Sequence, residues 1–334
     1  MIRQFQRPIL LSVIVPCLNE EEALRGTQVR LSSTLEQIPA NFEIIYVDDG
    51  STDATPEVLR ELQAYDSRVR VVRFSRNFGH QMAITAGLEH AAGDAVVIID
   101  ADLQDPPETI LDFFRKWQEG YDVVYGVRTE REGETAFKLW TAKLFYRFMT
   151  RLSDTQIPLD TGDFRLMDRR VLNVLLGMPE RDRFVRGMVS WLGFSQVAVP
   201  YRREARIAGV TKFSFFKMLR FALDGIFSFS IVPLRVATWT GFITSFLAIL
   251  GIVLVSLEHF LGVEGLVKGW TSTMFAVLFI GGVQLICMGI IGEYIGRIYG
   301  ESKHRPLYVV REILGFEGQK REANQSSLFI AGKQ

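Results

Sequence analysis

The chain has 334 residues, 48% of them hydrophobic, and its 38 basic and 38 acidic side chains leave a formal net charge of zero. That balance excludes a general nucleic-acid binder, because such proteins usually present a basic surface. Two cysteines in unrelated contexts predict no disulfide and fit a reduced compartment.

The N-terminal part alternates short apolar runs with helical patterns, which is typical of an α/β fold with a parallel sheet covered by helices. Strands are predicted at 10–15, 43–47, 69–74, 95–99 and 121–127. Helices are predicted at 20–36, 55–65, 78–92 and 106–119, and residues 130–212 are less regular. No glycine-rich phosphate loop follows the first strand, which counts against dehydrogenases and P-loop enzymes. Phosphates would therefore be held mainly by a metal and by cationic side chains.

Two acidic turns follow predicted strands. Asp48 begins the turn DDGSTD after the second strand, where an acid can accept hydrogen bonds from a base or ribose. Pro16 and Glu20, in the segment PCLNE after the first strand, are predicted to form the other wall of the same crevice. An ordinary turn with a helix cap is the alternative interpretation of the DDGSTD segment.

The most informative segment, VVIIDADLQDPPE, places Asp100 and Asp102 just beyond the fourth strand. Ligands of open α/β sheets bind at such strand ends, and two acids one residue apart suit a hard divalent cation that holds a diphosphate. The alternative is a polar turn. Asp105 and Glu108 do match a capping box with proline at the first helical position, but that box leaves Asp100 and Asp102 unexplained.

Two stretches without a charged residue follow, at 236–257 and 270–292. Each is long enough to cross the ~30 Å hydrocarbon core as a helix, and the alternative is two buried helices of a soluble domain. The segment 213–235 mixes aromatic and charged residues and predicts an interfacial amphipathic helix, with an ordinary core helix as the alternative. The glycines at 292, 296 and 300 predict close helix packing, either within one chain or in a homo-oligomer.

The orientation follows from the cations around these stretches. Arg220 and Arg235 precede the first, Arg297 and Lys303 follow the second, and only Lys268 is a firm cation between them. The positive-inside rule therefore places both termini in the cytoplasm. The short apolar run at 9–15 lacks a cleavage pattern and does not predict a secretory signal.

Six segments together resemble the family 2 inverting glycosyltransferases with the GT-A fold. They are SVIVPCLNEE (12–21), VDDGSTD (47–53), SRNFGHQ (75–81), IDADLQDPPE (99–108), TGDFRLMD (161–168) and GEYIGRIYGE (292–301). The combination is most similar to the polyprenyl-phosphate branch, which includes bactoprenol (undecaprenyl-phosphate) glucosyltransferases and dolichyl-phosphate mannosyltransferases. The resemblance covers roughly residues 10–315. It departs from the pattern at His80, where the branch often has lysine, and the Gln-x-x-Arg-Trp signature of processive synthases is absent.

The resemblance implies a role for each acid. Asp48 would contact the uracil, Asp100 the nucleotide and the metal, and Gln104 the diphosphate. Asp102 would be the main ligand of Mg²⁺ or Mn²⁺, which neutralises charge on the leaving group. Asp163 stands where this family places its candidate catalytic carboxylate.

Asp163 need not be a strong base. A hydroxyl acceptor requires deprotonation, but a phosphate monoester has a second pKa of about 6 and is already largely ionised. Asp163 is therefore predicted to position the acceptor or to take a residual proton. The alternative is an ordinary salt bridge with Arg165 or Arg169.

The acceptor phosphate requires cations, which arginine and lysine supply in different geometries. Arg128 and Arg131 follow the fifth predicted strand. The segment RIAGVTK begins with Arg206 and ends with Lys212. It resembles the family's Arg…Gly-x-Ser-Lys segment, with Thr211 in place of serine. Attraction to anionic lipids is the alternative explanation of these cations.

The expected domains are a cytoplasmic GT-A catalytic domain (1–212), the interfacial helix (213–235), a two-helix transmembrane domain (236–293) and a cytoplasmic tail (294–334). The expected activity moves a hexose, glucose from UDP-glucose, to undecaprenyl phosphate at the cytoplasmic leaflet of the inner (plasma) membrane. The alternatives are another donor, such as GDP-mannose or an aminoarabinose nucleotide, and a non-catalytic nucleotide-sugar-binding scaffold.

Overall fold

The computed structural model describes residues 7–129, 161–204, 232–260 and 270–316. They divide into two compact units, an α/β unit that includes residues 305–316 and a helical unit that ends at His304. The predictions for Arg131, Arg206, Lys212 and the interfacial segment 213–231 lie outside the described residues.

A mixed eight-stranded sheet organises the described part of the α/β unit. The strands are β1 (Leu10–Cys17), β2 (Asn41–Asp48), β3 (Val69–Phe74), β4 (Ala95–Ile98), β5 (Val123–Arg128), β6 (Thr161–Asp168), β7 (Gln196–Tyr201) and β8 (Val310–Leu314). Their order across the sheet is β7-β5-β6-β4-β1-β2-β3-β8. The predicted α/β class is confirmed, and the five predicted strands are present with ends that differ by a few residues.

Helices cover both faces of the sheet, as the burial of the central strands requires. They are α1 (Leu24–Leu35), α2 (Thr55–Tyr65), α3 (His80–His90), α4 (Thr109–Gln118), α5 (Arg169–Leu176) and α6 (Val185–Trp191). Seven of the eight residues of β1 are buried, the near-continuous apolar pattern of a parallel strand covered on both sides. Trp117 of α4 is fully buried and donates its indole N–H to Asp168 at 2.9 Å.

Strand β6 decides the geometry of the site. It runs antiparallel between β4 and β5, with Ile98 opposite Arg165, so the start of β6 lies beside the end of β4. Asp163 is thereby brought to the same sheet edge as Asp100. The sequence of this region is less regular, and its pattern did not predict the strand.

The chain beyond the apolar helices also returns to the sheet. β8 pairs antiparallel with β3, and Arg60 on α2 binds Glu312 at 2.8 Å. Tyr308 is buried and stacks on Phe74 at a centroid distance of 4.8 Å. Residues 310–314 are therefore part of the sheet, although they fall within the predicted C-terminal tail (294–334).

The helical unit consists of α7 (Val232–Phe260) and α8 (Trp270–Ser302) in its described part. Both are long and apolar enough to cross a membrane, over 232–251 and 276–302. Large apolar side chains point outward, among them Trp239 at 67% exposure and Phe242 at 66%. The two predicted spans are confirmed as helices of sufficient length, and residues 232–235 form the first turn of α7, so this part of the predicted interfacial segment belongs to the first apolar helix.

We expect Gly50→Ala to destabilise the α/β unit more than Gly193→Ala. Both glycines have positive φ, +73° and +71°, which costs an alanine about 1–2 kcal/mol. A Cβ at Gly50 would also lie 2.4 Å from the backbone carbon of Arg76, while within the described chain nothing lies within 4 Å of a Cβ at Gly193. Thermal unfolding in detergent should show the larger loss of melting temperature for Gly50→Ala, and equal losses would contradict the close approach.

Candidate active site

The loop after β4 carries the acid pair and is fixed by contacts from distant elements. Thr27 on α1 donates its hydroxyl to the carbonyl of Ala101 at 2.8 Å. Within the loop, the backbone N–H of Gln104 donates to Asp102 Oδ1 at 3.1 Å, and the backbone N–H of Glu204 donates to the Gln104 carbonyl at 2.9 Å. These contacts define the shape of the loop.

Negative charge accumulates at this edge of the sheet. The side chain of Asp100 is 36% exposed and therefore accessible to a ligand. Partial desolvation of the carboxyl group and the neighbouring carboxylates of Asp105, Asp163 and Asp102 raise the pKa of Asp100 to about 6, against the opposing charge of His80. A cation placed here would relieve that repulsion.

The donor set fits Mg²⁺ or Mn²⁺. Both prefer oxygen ligands, and Mg²⁺ usually takes one or two carboxylates together with phosphate oxygens of the substrate. Within the described ranges no group of three or more histidine, cysteine or acidic side chains could hold a metal ion by itself. Asp100 and Asp102 would accordingly share the cation with a diphosphate rather than enclose it.

Asp163 lies at the centre of a cluster of cations. His80 Nε2 is 3.3 Å from Asp163 Oδ2 and 3.8 Å from Asp100 Oδ1, so one imidazole faces both carboxylates. Gln81 donates to Asp163 Oδ2 at 3.2 Å, and Arg186 Nη2 lies 3.5 Å from Oδ1. Arg165, a predicted alternative partner, is buried and donates to the Gly162 carbonyl at 3.1 Å, and its charge also lowers the pKa of Asp163.

The charges of this cluster reinforce one another. Partial desolvation disfavours the imidazolium, yet the hydrogen bond to Asp163 and the charge of Asp100 raise the pKa of His80 to about 9. Burial likewise disfavours the carboxylate of Asp163, but His80 and Arg186 hold its pKa well below the usual range. Asp163 is therefore ionised, and both of its oxygens face cationic side chains. Such a carboxylate is better suited to positioning cations than to accepting a proton.

The alternative partner of Asp163, Arg169, is used elsewhere. Its guanidinium donates to the backbone carbonyls of Ala91 and Gly93, beyond the C-terminal end of α3. The predicted salt bridge between Asp163 and Arg169 is therefore not present in the structure.

Asp48 does not lie on the surface of the crevice. Its side chain is fully buried, Oδ1 accepts the backbone N–H of Ser51 at 2.9 Å, and Oδ2 lies 3.2 Å from Arg73 Nε. A direct contact between this carboxylate and a uracil would need a rearrangement. The neighbouring Asp49 supports the loop before α3 by accepting the backbone N–H groups of Phe78 and Gly79.

The other predicted wall of the crevice is formed by the end of β1. Pro16 is buried within the strand, so its ring supports the sheet rather than lining an open surface. Glu20 is partly exposed, and its backbone N–H donates to Thr55 Oγ1 at 2.9 Å. Of these two residues, Glu20 has the side chain that a ligand could reach.

Asp105 is not the helix cap that the sequence pattern predicts. Helix α4 begins at Thr109, its N-cap residue is Glu108, and no side chain caps it. The Asp105 carboxylate instead accepts the hydroxyl hydrogen bond of Tyr201 at 2.5 Å, because β7 brings that tyrosine beneath the loop. Glu108 binds Arg30 of α1 at 2.7 Å.

Arg128, predicted for the acceptor phosphate, lies near the same carboxylate. Its Nε donates to the Tyr201 hydroxyl oxygen at 3.2 Å, and its Nη2 is 4.0 Å from Asp105 Oδ1. Sequence reasoning missed Gln81, Arg186 and Tyr201. Gln81 had a signal, since it ends the SRNFGHQ segment, whereas the other two become neighbours of the site only through the sheet order.

Comparison with known proteins identifies two regions. The family described as "Glycosyl transferase family 2" matches residues 12–176, and the family described as "GtrB C-terminal hairpin" matches residues 232–298. The second match covers both apolar helices.

Similar proteins cover nearly the whole chain. The uncharacterized glycosyltransferase YkcC of Bacillus subtilis is 48% identical over 96% of this chain and 98% of its own. The bactoprenol glucosyl transferase of Shigella phage SfV is 43% identical over 90% of this chain and 98% of its own. Among solved structures, glucosyl-3-phosphoglycerate synthase from Mycobacterium tuberculosis, in complex with Mn²⁺, UDP-glucose and phosphoglyceric acid, is 21% identical with a TM-score of 0.44, covering 66% of this chain and 78% of that one.

Proposed function

This chain belongs to glycosyl transferase family 2, and from that premise we propose that it transfers glucose from UDP-glucose to the phosphate of a membrane polyprenyl phosphate, undecaprenyl phosphate. The observation that carries the proposal is the identity of 43% to a bactoprenol glucosyl transferase over 98% of that protein's length, hairpin included. The acid pair facing Asp163 across one sheet edge gives this assignment a chemical basis.

The reaction requires one bond to break and one to form. An oxygen of the lipid phosphate attacks C1 of glucose from the face opposite UDP, the C1–O bond to the diphosphate breaks, and its electron pair leaves with UDP. The configuration at C1 is thereby inverted. When bound, Mg²⁺ or Mn²⁺ would neutralise the charge that develops on the diphosphate.

The residues at this edge of the sheet would bind different parts of the reactants. Asp100 and Asp102 would hold the cation, and Gln104 would lie beside the diphosphate. Asp163 would position the acceptor side through His80 and Arg186, because the low pKa of its carboxylate makes it a weak base near neutral pH. The lipid phosphate needs no strong base, since it is largely ionised.

The membrane hairpin explains why such an enzyme would be anchored. The two apolar helices indicate membrane association, and the acceptor headgroup is confined to the membrane surface. We place the catalytic domain and both termini in the cytoplasm, at the inner (plasma) membrane. The reason is the positive-inside rule, since Arg235 precedes the first charge-free stretch and Arg297 and Lys303 follow the second, with only Lys268 as a firm cation between them. Arg131, Arg206 and Lys212 remain proposed ligands of the acceptor phosphate.

The first test is turnover by the purified full chain in vesicles that contain undecaprenyl phosphate. We expect UDP-glucose to yield glucosyl phosphate lipid with inverted configuration, faster than GDP-mannose or an aminoarabinose nucleotide. Treatment with EDTA should abolish turnover, and added Mg²⁺ or Mn²⁺ should restore it. Preference for another donor would change the sugar assignment, and binding without turnover of any donor would favour the scaffold alternative.

A further inference from the structure

Asp105 is a buried carboxylate shared between two arginines. It is 2% exposed, and its Oδ1 lies 4.0 Å from Arg128 Nη2 and 3.9 Å from Arg203 Nε. The Tyr201 hydroxyl donates to the same oxygen and accepts from Arg128 Nε. Asp105 does not cap α4, so its carboxylate interacts with these side chains instead of with the end of the helix.

The charges of this group do not cancel. One carboxylate lies between two guanidinium groups, which leaves one positive charge in excess among these four side chains. About a third of each arginine side chain is exposed, 30% for Arg128 and 33% for Arg203, although Arg203 Nε itself is buried. Two guanidinium groups that share one carboxylate can also donate to the oxygens of a phosphate, which a monoester presents with a charge of about −1.5 to −2.

The position of the two arginines connects both sides of the proposed reaction. Arg128 Nη2 lies 3.3 Å from where a Cβ of Gly162 would be, immediately before Asp163. On the other side, the backbone of Glu204, next to Arg203, binds the carbonyl of Gln104 in the acid loop. A phosphate held here would therefore lie beside the acid loop and beside Asp163.

We infer that Arg203 joins Arg128 in binding the phosphate of the lipid acceptor, and that Tyr201 and Asp105 are positioning residues that hold the two guanidiniums. This inference rests on the proposed function and names a part of its acceptor site. The hydroxyl of Tyr201 suits the role because burial and the Asp105 charge raise its pKa, which keeps the proton that it donates.

The test separates the acceptor from the donor. In the full chain in vesicles, we expect Arg203→Gln to raise the KM for undecaprenyl phosphate about tenfold or more, with the KM for UDP-glucose within about twofold. Tyr201→Phe removes only the hydroxyl and should raise the acceptor KM about three- to tenfold. Arg203→Lys, which keeps the charge, should recover part of the loss.

Matched controls are available on the surface. Arg115→Gln removes an arginine that is 69% exposed on α4, and Tyr65→Phe alters a tyrosine that is 94% exposed; neither should change either KM. An unchanged acceptor KM in Arg203→Gln would overturn the inference. So would an increase confined to the KM for UDP-glucose, which would place these arginines on the donor.

Binding of farnesyl phosphate, measured by calorimetry on the detergent-solubilised chain, distinguishes this inference from the proposed function. Suppose that the wild type binds farnesyl phosphate but transfers no sugar, and that Arg203→Gln binds it more weakly. That result would support the phosphate site and overturn the proposed transfer. Normal transfer and normal binding in Arg203→Gln would leave the transfer standing and overturn the site. Competition by inorganic phosphate as strong as that by farnesyl phosphate would overturn the lipid as its ligand.

Discussion

Asp102→Asn is expected to lower the kcat of glucose transfer by about 10³-fold, because the substitution removes a charged oxygen ligand and leaves the side chain's shape. The asparagine keeps an oxygen that can accept the backbone N–H of Gln104, now at 3.1 Å, so the loop should keep its conformation. The loss should therefore arise from weaker cation binding. The measurement is steady-state turnover at several Mn²⁺ concentrations.

A second measurement makes this prediction independent of turnover. Electron paramagnetic resonance of Mn²⁺ with UDP should show a bound ion in the wild type and a weakened site in Asp102→Asn. The control is Asp112→Asn on α4, where the carboxylate is 52% exposed and pairs with Arg115. Full turnover by Asp102→Asn, or equal Mn²⁺ binding by both variants, would show that the metal assignment is wrong.

Asp163→Asn is expected to lower kcat by about 10²–10³-fold and to destabilise the α/β unit. Its carboxylate is the common partner of His80 and Arg186, and it also offsets the charge of Arg165, which is only 3% exposed. Removing one partner from a buried ionic cluster typically costs about 3–5 kcal/mol, because the remaining charge is left buried. Turnover and melting temperature should be measured on the same preparation.

Glu312→Gln is the control for this second prediction. Glu312 lies on β8 at the far edge of the sheet and pairs with Arg60 at 2.8 Å, so its loss should affect stability without a comparable loss of kcat. If Glu312→Gln lowers the melting temperature but keeps its kcat, a fall in the kcat of Asp163→Asn cannot be explained by lost stability alone. Turnover near the wild-type rate in folded Asp163→Asn would contradict any role of Asp163 in the reaction.

The acid pair could be predicted from the sequence because its environment is local. An apolar strand followed at once by two acids fixes where Asp100 and Asp102 emerge, whatever the rest of the sheet does. The apolar helices were predictable for a similar reason, since length without charge is a property of a continuous segment. The resemblance to family 2 then followed from six such segments in order.

Local rules failed where a distant strand supplied a stronger partner. The pattern at Asp105 predicts a helix cap, but β7 places the Tyr201 hydroxyl 2.5 Å from that carboxylate. The turn at Asp48 predicts an acid facing a ligand, but Arg73 on the adjacent β3 lies 3.2 Å from it and the side chain is buried. Asp105 is held by a neutral hydroxyl from β7, and Asp48 keeps its local hydrogen bond to Ser51 while it gains a charged partner from β3. Burial explains both arrangements, because a buried carboxylate is costly unless it has such partners.

The sequence by itself determined the α/β class, the acid pair, the two apolar helices and the family. Only the tertiary structure decided the partners of Asp163, because β6 runs antiparallel beside β4 and brings Asp163 to His80, more than eighty positions earlier in the chain. It also decided that the chain beyond α8 returns to the sheet as β8. The physical reason is that strand pairing joins residues across any separation, whereas sequence patterns report only the contacts between near neighbours.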